Sequence, residues 1–356
     1  MRDPRRYLEK LFNIITEIHA SDLHLSADRR PILRIDGKLY EIEEENILSA
    51  EEVRILTHCL VGDQLFQVLE KEKEIDFSYS LGRRGRFRGN AYYQSGKLSC
   101  VLRFIPSRIP TIEELNLPPI LHKFTQATQG FVLITGPSSH GKSTTLASLI
   151  DEINHSRRVH IVTIEDPIEY VFDDDLAIID QREVHTDTLS FARALRSTFR
   201  QDPDVIMVGE MRDAETIATA LSAAETGHLV FATLHTNSAA QTIHRIVDSF
   251  EGIQQVQVRA QLSGALLGIV SQRLIPKIGG GLIPACEVLI NTPAIANLIR
   301  ENKIHEIPLI ISTSSEEGMI SLNQSLAVLV KEGKISIEDA YRFSLNPSEL
   351  KTLIKE

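Results

Sequence analysis

Cysteine is scarce in this sequence. Cys59, Cys100 and Cys286 lie far apart and no two form a CxxC pair. That spacing argues against a zinc site or a disulfide framework and fits a reducing compartment. Tryptophan is missing altogether, which decides nothing. No apolar run approaches the roughly 20 residues that cross a bilayer, and "LSGALLGIV" is far too short. The start, "MRDPRRYLEKLF", carries charge where a secretory signal has an apolar core. The expectation is a cytoplasmic protein, peripheral at the inner face of the membrane, that meets the bilayer only through partners or a surface patch. Basic residues are outnumbered, 38 against 48 acidic ones, for a net charge of −10. A coat for nucleic acid is a poor match to that balance, and no basic, aromatic-interleaved segment suggests a strand-binding groove. Low-complexity tracts and repeats of solenoid period are absent as well.

What is present is ordinary for a globular chain: 42% apolar and 24% charged residues over 356 positions, enough for two cores. Residues 1–105 read as a small α+β domain. A helix over Pro4 to Ile18 precedes the strand-like "SDLHLSA" and "PILRIDGKLYEI", with Asp36-Gly37 as a hairpin turn. "SAEEVRILTHCL" follows as a helix with Ser49 at the N-cap and Glu52 in the capping-box position. "EIDFSYS", "RFRGNAYYQ" and "LSCVLRFI" then alternate as a meander should. Residues 106–119 hold four prolines in fourteen positions and read as a linker. Over 120–292 the apolar runs "FVLIT", "VHIVTIE", "DVIMVGE" and "HLVFATL" alternate with helical stretches. Buried parallel strands with crossover helices give that pattern. Residues 293–356 carry helical spacing throughout and read as a helical tail.

Between "FVLIT" and the next helix stands Gly136-Pro137-Ser138-Ser139-His140-Gly141-Lys142-Ser143-Thr144, which satisfies G-x-x-x-x-G-K-[ST]. Backbone amides at a helix N-terminus face phosphate oxygens there, and the helix dipole favours their charge. Lys142 would reach the β- and γ-phosphates of ATP, and the Ser143 hydroxyl would hold Mg²⁺. Glu165, Asp166 and Glu169 follow the next strand-like run. At strand ends they either hold magnesium-bound waters and orient the attacking water, or are solvated loop acids. "DVIMVGEMRD" puts Gly209 where many such loops have Asp, and leaves Glu210 as the base for water. His228 and His235 bracket "LVFATL". A strand-end histidine either reports a γ-phosphate or is polar filler.

These blocks, "GPSSHGKST", "TIEDPIEY", "DVIMVGEMRD" and "GHLVFATLHT", resemble in order the Walker A, Asp box, Walker B and His box of the secretion-ATPase superfamily. "SDLHLS", "REVHTDTLSFARALRSTFRQDPD" and "SQRLIPKIGGG" extend the likeness over nearly the whole chain. The resemblance implies a RecA-like P-loop ATPase core, an N-terminal PAS-like domain and a homohexameric ring. Within the superfamily, three features favour the retraction motors of twitching motility over assembly or type II secretion motors. The chain starts almost directly at the PAS-like domain, lacks the four-cysteine zinc element, and has "AIANLIRE", close to the retraction signature "AIRNLIRE" with Ala296 in place of Arg. The implied partners are an inner-membrane platform protein and the pilus machinery, with no nucleic acid.

The family's roles carry to Lys142 and Ser143 at the phosphates, Glu210 as catalytic acid-base group, Glu169 and Glu165 in the Asp box, and His228 with His235 in the His box. Arg86, Arg88 and Arg103 correspond to arginine fingers of the N-terminal domain; as sequence alone, they are equally basic residues on an exposed sheet face. Where the family usually has Gly-Ser, this loop has Ser139-His140. A positive φ at Ser139 would cost about 1 kcal/mol, and His140 would add a titratable group beside the phosphates. The expected result is slower turnover with the site intact; a nucleotide-gated module with little hydrolysis is the other reading.

Overall fold

The computed structural model describes residues 3–18, 20–35 and 37–355. Its chain divides into two compact units, Met1–Arg108 and Ile109–Glu356. The division falls within the proline-rich stretch.

In the first unit, α1 (Pro4–Glu17) begins where Asp3 accepts the Arg6 amide and Pro4 enters the first turn. Leu8, Leu11, Phe12 and Ile15 recur at helical spacing and are buried. β1 (Asp22–Ser26), β2 (Ile32–Ile35) and β3 (Lys38–Glu41) follow. Asp36 of the expected hairpin turn lies outside the described residues; Gly37 beside it has φ +80°. α2 (Ala50–Glu72) opens on the expected capping box, with Ser49 and Glu52 bonding each other's backbone amides. It runs well past the expected end because the helix resumes after a non-helical residue, Gly62. β4 (Glu74–Ser80), β5 (Gly85–Gln94) and β6 (Lys97–Pro106) then form the meander. The sheet order is β3-β2-β1-β6-β5-β4 with antiparallel neighbours throughout. One core joins helix residues Phe12, Leu56 and Leu69 to strand residues Leu23, Phe87, Cys100 and Leu102. Strand alternation sends Arg86, Arg88 and Arg103 to the opposite face.

In the second unit, α3 (Leu121–Gln126) leads into β7 (Gly130–Thr135), α4 (Lys142–Ser156), β8 (His160–Glu165) and β9 (Ile178–Glu183). α5 (Phe191–Thr198), β10 (Val205–Val208), α6 (Ala214–Glu225), β11 (Leu229–Leu234), α7 (Ala239–Asp248) and α8 (Ile253–Ala265) continue the alternation. β12 (Leu266–Pro276) and β13 (Leu282–Ile290) form a hairpin. The tail is helical as expected: α9 (Pro293–Arg300), α10 (Ile307–Thr313), α11 (Leu322–Lys331), α12 (Ile337–Phe343) and α13 (Pro347–Lys355).

The sheet order is β13-β12-β7-β11-β10-β8-β9, parallel except where β13 meets β12. Every residue of β7, β10 and β11 is buried, which is why these runs read as unbroken apolar segments. Such strands place their carboxyl ends on one edge of the sheet. A ligand crevice belongs there.

Candidate functional site

The phosphate loop follows from what β7 cannot do. Buried on both faces, the strand can turn out of the sheet only past Thr135. Gly136 turns it at φ +145°, where a β carbon would lie 2.3 Å from the Gln272 carbonyl oxygen of β12. Gly141, at φ +80°, is the N-cap of α4 and makes Lys142 its first residue. Ser139 has φ +63°, so the left-handed backbone expected at this non-glycine position is present. By helix geometry, the first amides of α4 have no partner within the helix and remain for an anion. Ser143 and Thr144 stand on the same turn, and the Thr144 hydroxyl lies 3.1 Å from the Tyr170 hydroxyl.

Lys142 is only 7% exposed. Its ammonium donates to the carbonyl oxygens of Gly136 (3.0 Å) and Pro137 (2.9 Å) and lies 3.3 Å from His235 Nδ1. Burial pulls its proton affinity down, while the negative charges of Glu210 and Glu169 oppose that. His140, expected to titrate beside the phosphates, turns instead to β12. Its Nδ1 accepts the Leu274 amide at 2.8 Å.

β8 delivers Glu165 into a closed setting. Its Oε1 accepts from the Thr163 hydroxyl (2.7 Å) and Gln181 Nε2 (3.1 Å), and its Oε2 faces the Glu169 amide at 3.4 Å. Burial raises the Glu165 carboxyl to about 7 against these hydrogen bonds. The side chain is enclosed, and its oxygens are engaged in shaping the loop that presents Glu169. Gln181 completes that loop by donating to the Tyr170 carbonyl and accepting the Phe172 amide.

β10 ends one residue before Gly209, whose amide donates to the Ile164 carbonyl at 2.8 Å. A β carbon on Gly209 would lie 3.1 Å from that oxygen and 3.4 Å from the Glu165 α carbon. An Asp at this position would press on β8. Glu210 next to it accepts from Arg212 Nη2 at 2.8 Å, and its other oxygen lies 3.2 Å from His235 Nε2. Burial alone would push its carboxyl up, but Arg212 and His235 outweigh this and hold it below the usual carboxylate range. Lys142 can only donate and an ionised Glu210 can only accept, so His235 carries its proton on Nε2 and accepts at Nδ1. The Ser138 hydroxyl also lies 3.3 Å from that Nδ1. A chain of close polar contacts therefore runs from Glu210 through His235 to Lys142.

The family model "Type II/IV secretion system protein" matches residues 4–328. This chain belongs to that family. It is similar to the type IV pilus retractation ATPase PilT of Pseudomonas aeruginosa, with 48% identity over 321 residues, 90% of this chain and 93% of the relative. A twitching motility protein of Neisseria gonorrhoeae is 46% identical over 90% of this chain and 86% of its own. The crystal structure of the pilus retraction motor PilT with bound ADP superposes with a TM-score of 0.87 at 48% identity, covering 96% of this chain and 98% of that one. With this phosphate loop, the family member is a P-loop ATPase, and its α/β fold is that of the secretion ATPases.

The two histidines of the His box stand at opposite ends of one strand, as the sequence placed them. His228 precedes β11 and His235 follows it, so about 20 Å of strand separates them. His228 contacts the Ala223 carbonyl at 2.9 Å and meets the Phe199 ring edge-on. Of the His-box pair, His235 lies beside the phosphate loop, while His228 stands at the opposite end of β11. The family's arginine candidates lie in the first unit, where Arg88 is directly opposite Arg103. Arg103 Nε donates to Asp22 Oδ1 at 2.9 Å. Gln181, Gln272 and Tyr170 escaped the sequence reading because each acts through a partner distant in the chain. Arg212 had a signal, its place two residues after Glu210.

Proposed function

We propose that this chain is a cytoplasmic, ring-forming motor that uses ATP to withdraw pilin subunits from a type IV pilus, working as a homohexamer on an inner-membrane platform protein. The observation that carries the reading is the path Glu210–His235–Lys142, which links the water-activating carboxylate to the phosphate-binding ammonium across neighbouring strand ends. The names of its relatives supply the direction, retraction.

No cluster of three or more His, Cys, Asp or Glu among the described residues could cage a metal ion. The site therefore suits a magnesium ion that arrives on the nucleotide's phosphates, with Ser143 as its protein ligand. Such an ion would offset phosphate charge. The remaining work falls to the chain. Phosphate oxygens replace the Gly136 and Pro137 carbonyls as acceptors for Lys142. That exchange weakens the hold of Lys142 on His235 and so couples nucleotide occupancy to Glu210. Glu210, ionised at neutral pH, orients water and accepts its proton; positioning and charge stabilisation make up most of the task in phosphoryl transfer. Glu169 adds a second carboxylate near Lys142. Arg86, Arg88 and Arg103 serve as arginine fingers when the first unit closes on a bound nucleotide, and successive closures around the ring turn the platform.

Phosphate release by the purified protein with magnesium and ATP tests hydrolysis. A protein that binds ATP and turns it over no faster than buffer is a nucleotide-gated module. A deletion strain tests direction: cells with excess surface pili and no twitching fit retraction, whereas bald cells identify an assembly motor.

A further inference from the structure

β7 ends at Thr135, opposite Ser271, but β12 continues to Pro276. Past that point, among the described residues, the edge of β12 that faced β7 has no strand beside it. The Leu274 amide on this edge donates to the His140 ring at 2.8 Å. Two residues earlier on β12, Gln272 Nε2 donates to the His140 carbonyl at 2.6 Å, and Gln272 Oε1 accepts the Thr145 hydroxyl at 2.9 Å. Gln272 is 2% exposed, so these bonds are made away from competing water. His140 is thus held to β12 at both its ring and its carbonyl, immediately after Ser139, whose backbone is left-handed without being glycine.

We propose that His140 is a positioning residue for the nucleotide reaction: its ring takes the place of the missing strand neighbour of Leu274 and locks the phosphate loop onto β12 in its binding shape. The locked loop offsets the unfavourable backbone at Ser139, which would otherwise relax and have to be reordered each time a nucleotide enters. Binding should weaken when the lock is lost, while the chemical step, which rests on Lys142 and Glu210, should change little. Accepting the Leu274 amide requires a neutral imidazole. Burial, with the Arg273 and Lys142 charges, holds its pKa below the ordinary histidine value and keeps that form at neutral pH.

The inference rests on the ATPase reading, and the experiment separates the two. His140→Ala removes the acceptor and leaves a half-buried amide without its partner. His140→Asn restores an acceptor two bonds from the β carbon, where Nδ1 stands. For His140→Ala, KM for ATP and Kd for ADP should rise about tenfold, as expected for a lost buried acceptor, with kcat close to wild type. Hydrogen exchange at the Leu274 amide should speed up. His140→Asn should recover all three values. Wild-type KM in a folded His140→Ala protein, unchanged Leu274 exchange, or a folded His140→Asn protein as impaired as His140→Ala would overturn the proposal. If the wild-type protein itself binds no ADP, the nucleotide reading fails; if it binds ADP and His140→Ala binds equally well, only the lock fails.

Discussion

Glu165 and Glu210 sit at the ends of neighbouring strands, and their surroundings move their proton affinities in opposite directions. Glu165 is enclosed, so its carboxyl rises to about 7. Glu210 is anchored by Arg212 and His235 and stays ionised. Between the ordinary carboxylate range and pH 7, the folded chain keeps a proton on Glu165 that the unfolded chain has lost. Stability therefore falls as pH rises through that window and levels off above it. Glu165→Gln should remove this fall, with a gain over wild type on the order of 3 kcal/mol at pH 8 that vanishes near pH 4. Melting curves at several pH values read it directly; a difference independent of pH contradicts the burial argument. Glu210→Gln should cut kcat by at least about 100-fold, the scale of general-base loss, while ADP affinity stays near wild type. Lys142→Ala should lose both ADP affinity and turnover, measured by calorimetry and phosphate release. A folded Lys142→Ala protein with normal affinity would remove the loop from the site.

At the scale of elements, the close approach of β10 and β8 sets what Gly209 can become. Gly209→Asp should destabilise the second unit by about 1–3 kcal/mol, the usual cost of overpacking, with turnover falling as Glu210 shifts; unchanged melting would mean β8 yields freely. The same packing shows which elements could be read in advance. β7, β8, β10 and β11 are apolar runs bounded by polar loops, so burial wrote itself into their composition. β12 begins at the residue after α8, and the nearby glycines, Gly264 and Gly268, fall inside the helix and the strand rather than at the junction. No punctuation marks that change of period. β9 is an edge strand with the mixed sequence "IIDQRE", half exposed along its length, and alternation there is too weak to distinguish from a loop. The phosphate loop was legible because its chemistry is local. The enclosure of Glu165 and the turn of His140 toward Leu274 each depend on a strand placed by tertiary packing.

At the scale of the whole molecule, the proposed arginine fingers belong to the first unit and the phosphate loop to the second. Arg88→Ala should lower turnover more than ADP affinity in a folded protein; a normal rate would return Arg88 to the sheet surface. Arg103→Ala carries a second cost, because the buried Asp22 carboxylate would lose its 2.9 Å partner and keep the more distant Arg34 at 3.7 Å. A loss of about 1–2 kcal/mol in stability should accompany it. The scarce thiols offer a way to follow each half of the chain. Cys100 in the first unit and Cys286 in the second are fully enclosed, with thiols pushed up to about 12 by burial, whereas Cys59 on α2 is partly accessible. A maleimide dye should therefore attach once and quickly, and peptide mass mapping of the two slower adducts would clock how often each lobe breathes.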